Sequence, residues 1–269
     1  MKKNSPQINT VQLSLKDRPY DIEYFIREGN KETILFIHGL GGAKENFWES
    51  CKTDALADHT LICFDNPGTG NSTYYEDTFL DVDELAEVAA QFIKKLSLDK
   101  FFIAGASMGG LITMLYLAKY GSKNIKGFIN IEGNLMPEDC MFSSKVVMHD
   151  YDHFNKVVFP EIITSMKKNG NTGYHIIANN LELNTTVRAY YQYSFQTVKY
   201  SDTGELLKQY LSMDIPRMFV YGEENKNLSY IPKLLKNGMN VCMIQNSNHF
   251  IFYDNPNEMY NAISKFINA

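Results

Sequence analysis

The chain has 269 residues, 26 of them Lys or Arg and 31 Asp or Glu, for a formal net charge of −5; 44% are hydrophobic and 21% charged. That length holds one large α/β domain or two smaller ones and buries a sizeable core without disulfide or metal staples. The acidic balance argues against a nucleic-acid partner, which calls for a basic field. No uninterrupted apolar stretch is long enough to span a bilayer, so no membrane partner is expected either.

The start, Met1-Lys2-Lys3-Asn4-Ser5-Pro6, carries two lysines but no apolar run after them, which predicts a cytoplasmic protein rather than an exported one. Val11–Leu15 and Ile22–Ile26 read as an antiparallel lead-in pair of strands. Four β-prone apolar runs then follow at Glu32–Ile37, His59–Phe64, Phe101–Ala104 and Gly127–Ile131. Continuous apolar runs bounded by Gly, Asp or Asn suit strands covered on both faces. Between the runs lie helical patterns. From Val82, the residues Leu85, Val88, Ala89, Phe92, Ile93 and Leu96 recur at three-or-four spacing, with Thr78 or Asp81 as candidate cap. After Ser107 the segment is apolar nearly all round, and Gly121 is placed to end it. This alternation predicts an α/β class fold, a mostly parallel, doubly wound sheet with right-handed crossovers.

From about Leu135 to Met213 the composition turns to Tyr, Met, Asn and Lys, and a mainly helical insertion is expected. The domain reading is therefore a core of residues 1–133 and 214–269 with a helical cap over 134–213. Alternation resumes at Pro216–Tyr221 and Met239–Ile244, and a final amphipathic helix uses Met259, Tyr260, Ile263, Phe266 and Ile267. The cysteines Cys51, Cys63, Cys140 and Cys242 are scattered and form no Cys-x-x-Cys pair, which reads as buried free thiols.

Gly105-Ala106-Ser107-Met108-Gly109 sits between an apolar strand and a helix. A serine there occupies a sharp, strained turn, and only small neighbours let the chain pass. The turn lifts the hydroxyl clear of the sheet and sets the next backbone N–H at a helix start, where it can hold an oxyanion. His38-Gly39-Leu40-Gly41-Gly42 follows an earlier strand, and its glycines let the backbone aim another N–H at the same point. The Leu40 and Met108 amides are the oxyanion-hole candidates. His249 follows the last strand in a polar loop, and neutral imidazole can take a serine proton at neutral pH.

These segments, in this order, with Asp65-Asn66-Pro67-Gly68-Thr69-Gly70-Asn71-Ser72 between them, resemble the α/β-hydrolase superfamily. The resemblance covers nearly the whole chain except the insertion. It implies an α/β-hydrolase fold, a nucleophile–histidine–acid triad, a lid over the site, and no metal or other cofactor. It also implies the place of the acid: in most of the family, an Asp three residues past the glycine that ends the strand before the histidine segment. Asn225 stands there. An amide orients an imidazole but cannot offset the imidazolium charge. Glu132, at the end of Phe128–Ile131, is the favoured acid, since a subgroup of haloalkane dehalogenases places it there. His249-Phe250-Ile251 before Asp254-Asn255-Pro256 resembles that subgroup too. Glu224 or Glu223, reaching in from a shifted loop, stays open as the alternative. Ser107 occupies the position of the dehalogenase aspartate, which argues against dehalogenase and epoxide hydrolase chemistry.

The expectation is a hydrolase of small ester-like substrates working through an acyl-enzyme. A carbon–carbon bond hydrolase, thioesterase or acyltransferase would share these residues, and a binding protein with a vestigial triad is the rival class. Trp48 is a candidate pocket residue. His149 and His153, read on one helix face, lack the glutamate of a metalloprotease motif, and no metal is expected there. Tyr190, Tyr191, Tyr193 and Phe195 read as cap packing with alternating burial. The partner is a small molecule; oligomeric state and substrate identity are not legible.

Overall fold

Residues 5–269 are described by a computed structural model; the basic start at Met1–Asn4 lies outside them. The strands are β1 (Gln7–Leu15), β2 (Arg18–Arg27), β3 (Lys31–Ile37), β4 (His59–Phe64), β5 (Phe101–Ala106), β6 (Ile125–Ile131), β7 (Arg217–Gly222) and β8 (Asn240–Ile244). They form one sheet in the order β1-β2-β4-β3-β5-β6-β7-β8. The β1/β2 and β2/β4 pairs are antiparallel, and every pair from β4 to β8 is parallel. Strands β5 and β7 are buried over almost their whole length and β3 over Ile34–Ile37, which is why they read as apolar runs.

Helix α1 (Val82–Lys95) starts at Asp81, whose carboxylate accepts from the amides of Asp83 and Glu84 while Glu84 returns a bond to the Asp81 amide. Helix α2 (Met108–Tyr120) ends at Gly121, where φ is +79°. Two apolar layers flank the sheet. One packs α1 and α2 against Leu35, Ile103 and Phe128; the other packs the C-terminal helix against Phe36, Ala104 and Ile129.

Between β6 and β7 every regular element is helical. Short α3 (Ser143–Val146) precedes α4 (Tyr151–His153), a π turn (Phe154–Val158) and α5 (Phe159–Asn169); then come α6 (Thr172–Asn184), α7 (Val187–Ser201) and α8 (Glu205–Ser212). The π turn falls just before Pro160, whose missing N–H already interrupts the hydrogen-bond ladder. Helices α9 (Ile231–Lys236), α10 (Ile251–Asp254) and α11 (Pro256–Ile267) complete the chain. Among the described residues no helix is long and apolar enough to cross a membrane.

The chain leaves β3 toward β4 on one side and β5 toward β6 on the other. The sheet therefore has its switch point between the C-terminal ends of β3 and β5, where an open α/β sheet leaves a crevice.

Candidate active site

Ser107 follows β5 with φ +51° and ψ −125°, a left-handed backbone that costs a non-glycine residue on the order of 1–3 kcal/mol. What holds it there is backbone-to-backbone crowding. A β-carbon on Gly105 would lie 2.3 Å from the Gly109 carbonyl oxygen, and one on Gly109 would lie 2.1 Å from that of Ile37 in β3. Only glycine at both positions lets the strand, the turn and the helix pass so closely. The Ser107 amide donates to the Ile131 carbonyl of neighbouring β6 at 3.0 Å, which ties the turn to the sheet. Helix α2 has no side-chain cap at its start, because Ser107 keeps its hydroxyl on the cavity side.

The loop after β3 reaches the same point from the other side. A β-carbon on Gly39 would meet the Ser107 Cβ at 2.9 Å. The loop is pinned by His38, which is fully buried. Its Nε2 accepts from the Asn66 amide at 3.0 Å and its Nδ1 donates to the Gly39 carbonyl at 2.8 Å, so one tautomer satisfies both bonds. Burial drops the His38 pKa from 6.5 to about 4 and keeps the ring neutral. Two residues beyond the loop glycines, Lys44 is buried against Asp65 (Nζ to Oδ2, 2.9 Å) and Glu23 (2.7 Å). Its backbone amide also donates to Asp65, at 2.7 Å. Neither the Leu40 nor the Met108 amide donates a hydrogen bond within the protein among the described residues, and both residues line the cavity beside Ser107.

Glu132 directly follows β6, itself at φ +44°, and is 4% exposed. Its Oε2 lies 2.7 Å from His249 Nδ1. Oε1 accepts from the Gly222 amide at 2.7 Å, and Asn225 Nδ2 donates to both oxygens at 3.0 and 2.8 Å. Asn225 thus stands at the family's usual acid position and holds a carboxylate that arrives from the neighbouring strand. Gly222 serves twice, because a β-carbon on it would lie 2.3 Å from the Asn248 carbonyl oxygen and displace the His249 loop. With Nδ1–H given to Glu132, His249 Nε2 is left as a proton acceptor. His249, 7% exposed, and Ser107 line one cavity with Leu40, Met108, Asn46, Asn134 and Ile177.

Several sequence expectations fall elsewhere. Glu224 is exposed, its amide bonds to the Ser247 carbonyl, and it lines a separate outer pocket; it makes no hydrogen bond to the imidazole among those described. Glu223 accepts from the Asn246 amide, on the turn before the histidine. Trp48 does not line the catalytic cavity; it packs edge-on against Phe25, with ring centres 5.4 Å apart. His149 precedes the α4 helix rather than sharing a helix face with His153, although the rings lie 4.9 Å apart. No group of three potential metal ligands occurs among the described residues. The Tyr190–Phe195 segment lies on helix α7, so burial follows helical spacing rather than alternation: Tyr190 and Tyr193 point inward, Tyr191 and Phe195 lie on the outer side. Cys51, Cys63 and Cys140 are buried free thiols, and Cys242 is half-buried.

The cap contributes residues that periodicity did not single out. Asn134, Asp139, Phe142, Ser143, Ile177 and Thr197 all line the catalytic cavity. Asp254, seen earlier only in a motif, accepts from the Asn248 amide (3.0 Å) and the Gly173 amide (3.1 Å), joining the histidine loop to the start of α6.

A family model described as the alpha/beta hydrolase fold matches residues 32–154. A proline iminopeptidase of Lacticaseibacillus rhamnosus (strain Lc 705) is 35% identical over 101 residues, covering 37% of this chain and 34% of that protein. The monoacylglycerol lipase ABHD6 of Homo sapiens is 34% identical over 98 residues, covering 36% of this chain and 29% of its own. These alignments span about a third of the length of each relative. A proline iminopeptidase of Lactobacillus acidophilus aligns over 93% of this chain and 95% of its own at 20% identity. Among solved structures, an esterase from Exiguobacterium antarcticum superposes with TM-score 0.77 at 16% identity, covering 96% of this chain and 99% of that one. A bromoperoxidase from Bacillus anthracis does so with TM-score 0.77 at 16% identity, covering 97% and 100%. At such identities the structures speak to the fold alone.

Proposed function

We propose that this chain, whose residues 32–154 match the alpha/beta hydrolase fold model, is a serine hydrolase of small ester-like substrates, with Ser107, His249 and Glu132 as its triad. The observation that carries the reading is the 2.7 Å contact of a buried Glu132 carboxylate with His249 Nδ1, beside a serine held in a strained turn on the same cavity. Ser107 Oγ attacks the acyl carbon as His249 Nε2 takes its proton. The carbonyl oxygen becomes an oxyanion and is met by the Leu40 and Met108 amides; one such donor stabilises the transition state by about 3–4 kcal/mol. Collapse expels the alcohol, which takes the proton from the imidazolium. Water then repeats the sequence on the acyl-enzyme and releases the acid. Glu132 keeps Nδ1 protonated and offsets the imidazolium charge.

An amide at the usual acid position, as at Asn225, would by itself favour a binding protein with a vestigial triad. The Asn225 amide holds Glu132 by two hydrogen bonds, which removes that support. Release of p-nitrophenol from short p-nitrophenyl esters tests the proposal: the chain turns them over, and Ser107→Ala abolishes turnover while the fold is retained. Equal activity in that variant would overturn it. Similarity to proline iminopeptidases favours a second reading, hydrolysis of an N-terminal residue's amide by the same steps. Turnover of proline p-nitroanilide in preference to the esters would select it.

A further inference from the structure

The catalytic cavity is small. Its volume is about 30 Å³, room for roughly two water molecules on the usual measure of 10–15 Å³ each. Beside it lies a second pocket of about 440 Å³, lined by Phe142, Lys145, Met166, Asn171, Tyr174 and Glu224 among others. Phe142 lines both. Its half-buried ring lies 6.1 Å from the His249 ring, stacks on Phe250 at 6.0 Å and lies 6.1 Å from Tyr174. It sits between the Pro137–Asp139 turn and the four-residue helix α3, on a stretch of chain with little regular structure of its own. Asn248 lines the outer pocket and His249 the inner cavity, so the imidazole stands at the partition.

On the serine hydrolase reading, we propose that the two spaces are chambers of one substrate site and that Phe142 is the gate and specificity determinant between them. Chemistry assigns the chambers. The leaving alcohol must take its proton from His249, so it lies on the imidazole side and extends past Phe142 into the outer pocket. The acyl group keeps the inner cavity. The substrate class is therefore an ester of a short acyl group with a bulkier alcohol of mixed polarity. Apolar Met141, Ile162 and Met166 would face its carbon skeleton; Lys145, Asn171 and Glu224 would face its polar groups.

The test compares methyl acetate with 2-naphthyl acetate on wild type, Phe142→Ala and Phe142→Trp. Taking the ratio within each protein and comparing it across proteins cancels the intrinsic difference between the leaving groups. Phe142→Ala is expected to raise kcat/KM for the bulky ester relative to the small one by about tenfold, and Phe142→Trp to lower it. The acetate-to-hexanoate ratio for p-nitrophenyl esters is expected to change less than the alcohol ratio, since Phe142 borders the inner cavity but divides it from the outer pocket. A purely structural role would scale all substrates together, and a shift in the acyl ratio instead would reverse the chamber assignment; either overturns the proposal. Mass-detected fluorophosphonate labelling of Ser107 separates this failure from that of the parent reading. A chain that labels but keeps a constant alcohol ratio loses only the gate. One that neither labels nor hydrolyses any ester loses both.

Discussion

The sheet wall of the cavity and its helical wall are held in different ways. On the sheet side, Ser107, Glu132 and the His249 loop are set by backbone contacts that admit only glycine, at positions 105, 109 and 222, and by hydrogen bonds to fixed strand groups. On the helical side the contacts are mostly side chain on side chain: Tyr190 stacks on Phe154 and packs edge-on against Phe159, Phe142 stacks on Phe250, and Leu181 and Ile177 fill the spaces between. A few polar clamps join the walls. The Gly70 amide donates to Asn184, the Thr186 amide to Gly68, and the Tyr193 hydroxyl to Pro67. Backbone crowding has one solution, whereas apolar packing tolerates repacking at a cost in stability. On the proposed function, the chemistry would reside where nothing can shift, and substrate choice where something can.

That contrast is broken or sharpened by substitutions on each side. The largest effect is expected at Ser107. Ser107→Gly should lower esterase kcat by about five orders of magnitude and, by relieving the left-handed backbone, raise stability by about 1 kcal/mol in urea denaturation. A loss of both activity and stability would mean that the turn is not strained. Next comes Glu132, the proposed acid. Glu132→Gln should reduce kcat by about 10⁴-fold, and adding Asn225→Asp in that background should recover part of it, because Asn225 bonds to the same Glu132 oxygen that contacts His249 Nδ1. Steady-state kinetics on one chromogenic ester reads both variants.

On the helical wall, Leu181→Ala should cost about 3 kcal/mol of stability and alter KM more than kcat, since the side chain is 1% exposed, does not line the cavity of Ser107 and His249, and packs in one layer with Ile177, which does. A kcat loss comparable to that of Glu132→Gln would erase the distinction between the walls. The smallest effect is a pH dependence. The folded-state pKa of His38, about 4, lies below its ordinary 6.5, so its contribution to stability is complete above pH 6.5 and is lost as pH falls toward 4. From pH 7 to pH 5 the loss is about 2 kcal/mol, and the stability gap between wild type and His38→Gln should narrow by that amount in urea titrations.

Much of the sheet wall was legible in the chain. Buried parallel strands leave continuous apolar runs, and the observed β3 to β8 begin and end within about two residues of those runs. The glycines around Ser107 are visible because close backbone approach leaves no other residue type. Asp81 announces α1 through its capping box with Glu84. The acid was narrowed to Glu132 or Glu224, since a single sequence shows Asn225 in the usual place but not which carboxylate the fold brings to it. The helical wall was mostly illegible. Asn134 and Phe142 reach the cavity from stretches outside helix and strand, and Thr197 from a face of α7 that tertiary packing selects, so none leaves a periodic trace that points to the site. Trp48 was placed by its nearness in sequence to the oxyanion loop, yet the turn Lys44–Cys51 carries it onto Phe25 instead. His149 lost its helical partner because the chain bends before Asp150 caps α4.

The proposed triad requires that His249 make Ser107 nucleophilic and that Glu132 be the acid behind it. Fluorophosphonate labelling rates, read by intact mass in wild type, Ser107→Ala, His249→Ala and Glu132→Gln, address it directly. Wild type should take one adduct per chain, Ser107→Ala none, and the other two should label slower by orders of magnitude. A Glu132→Gln protein that labels as fast as wild type would contradict the triad.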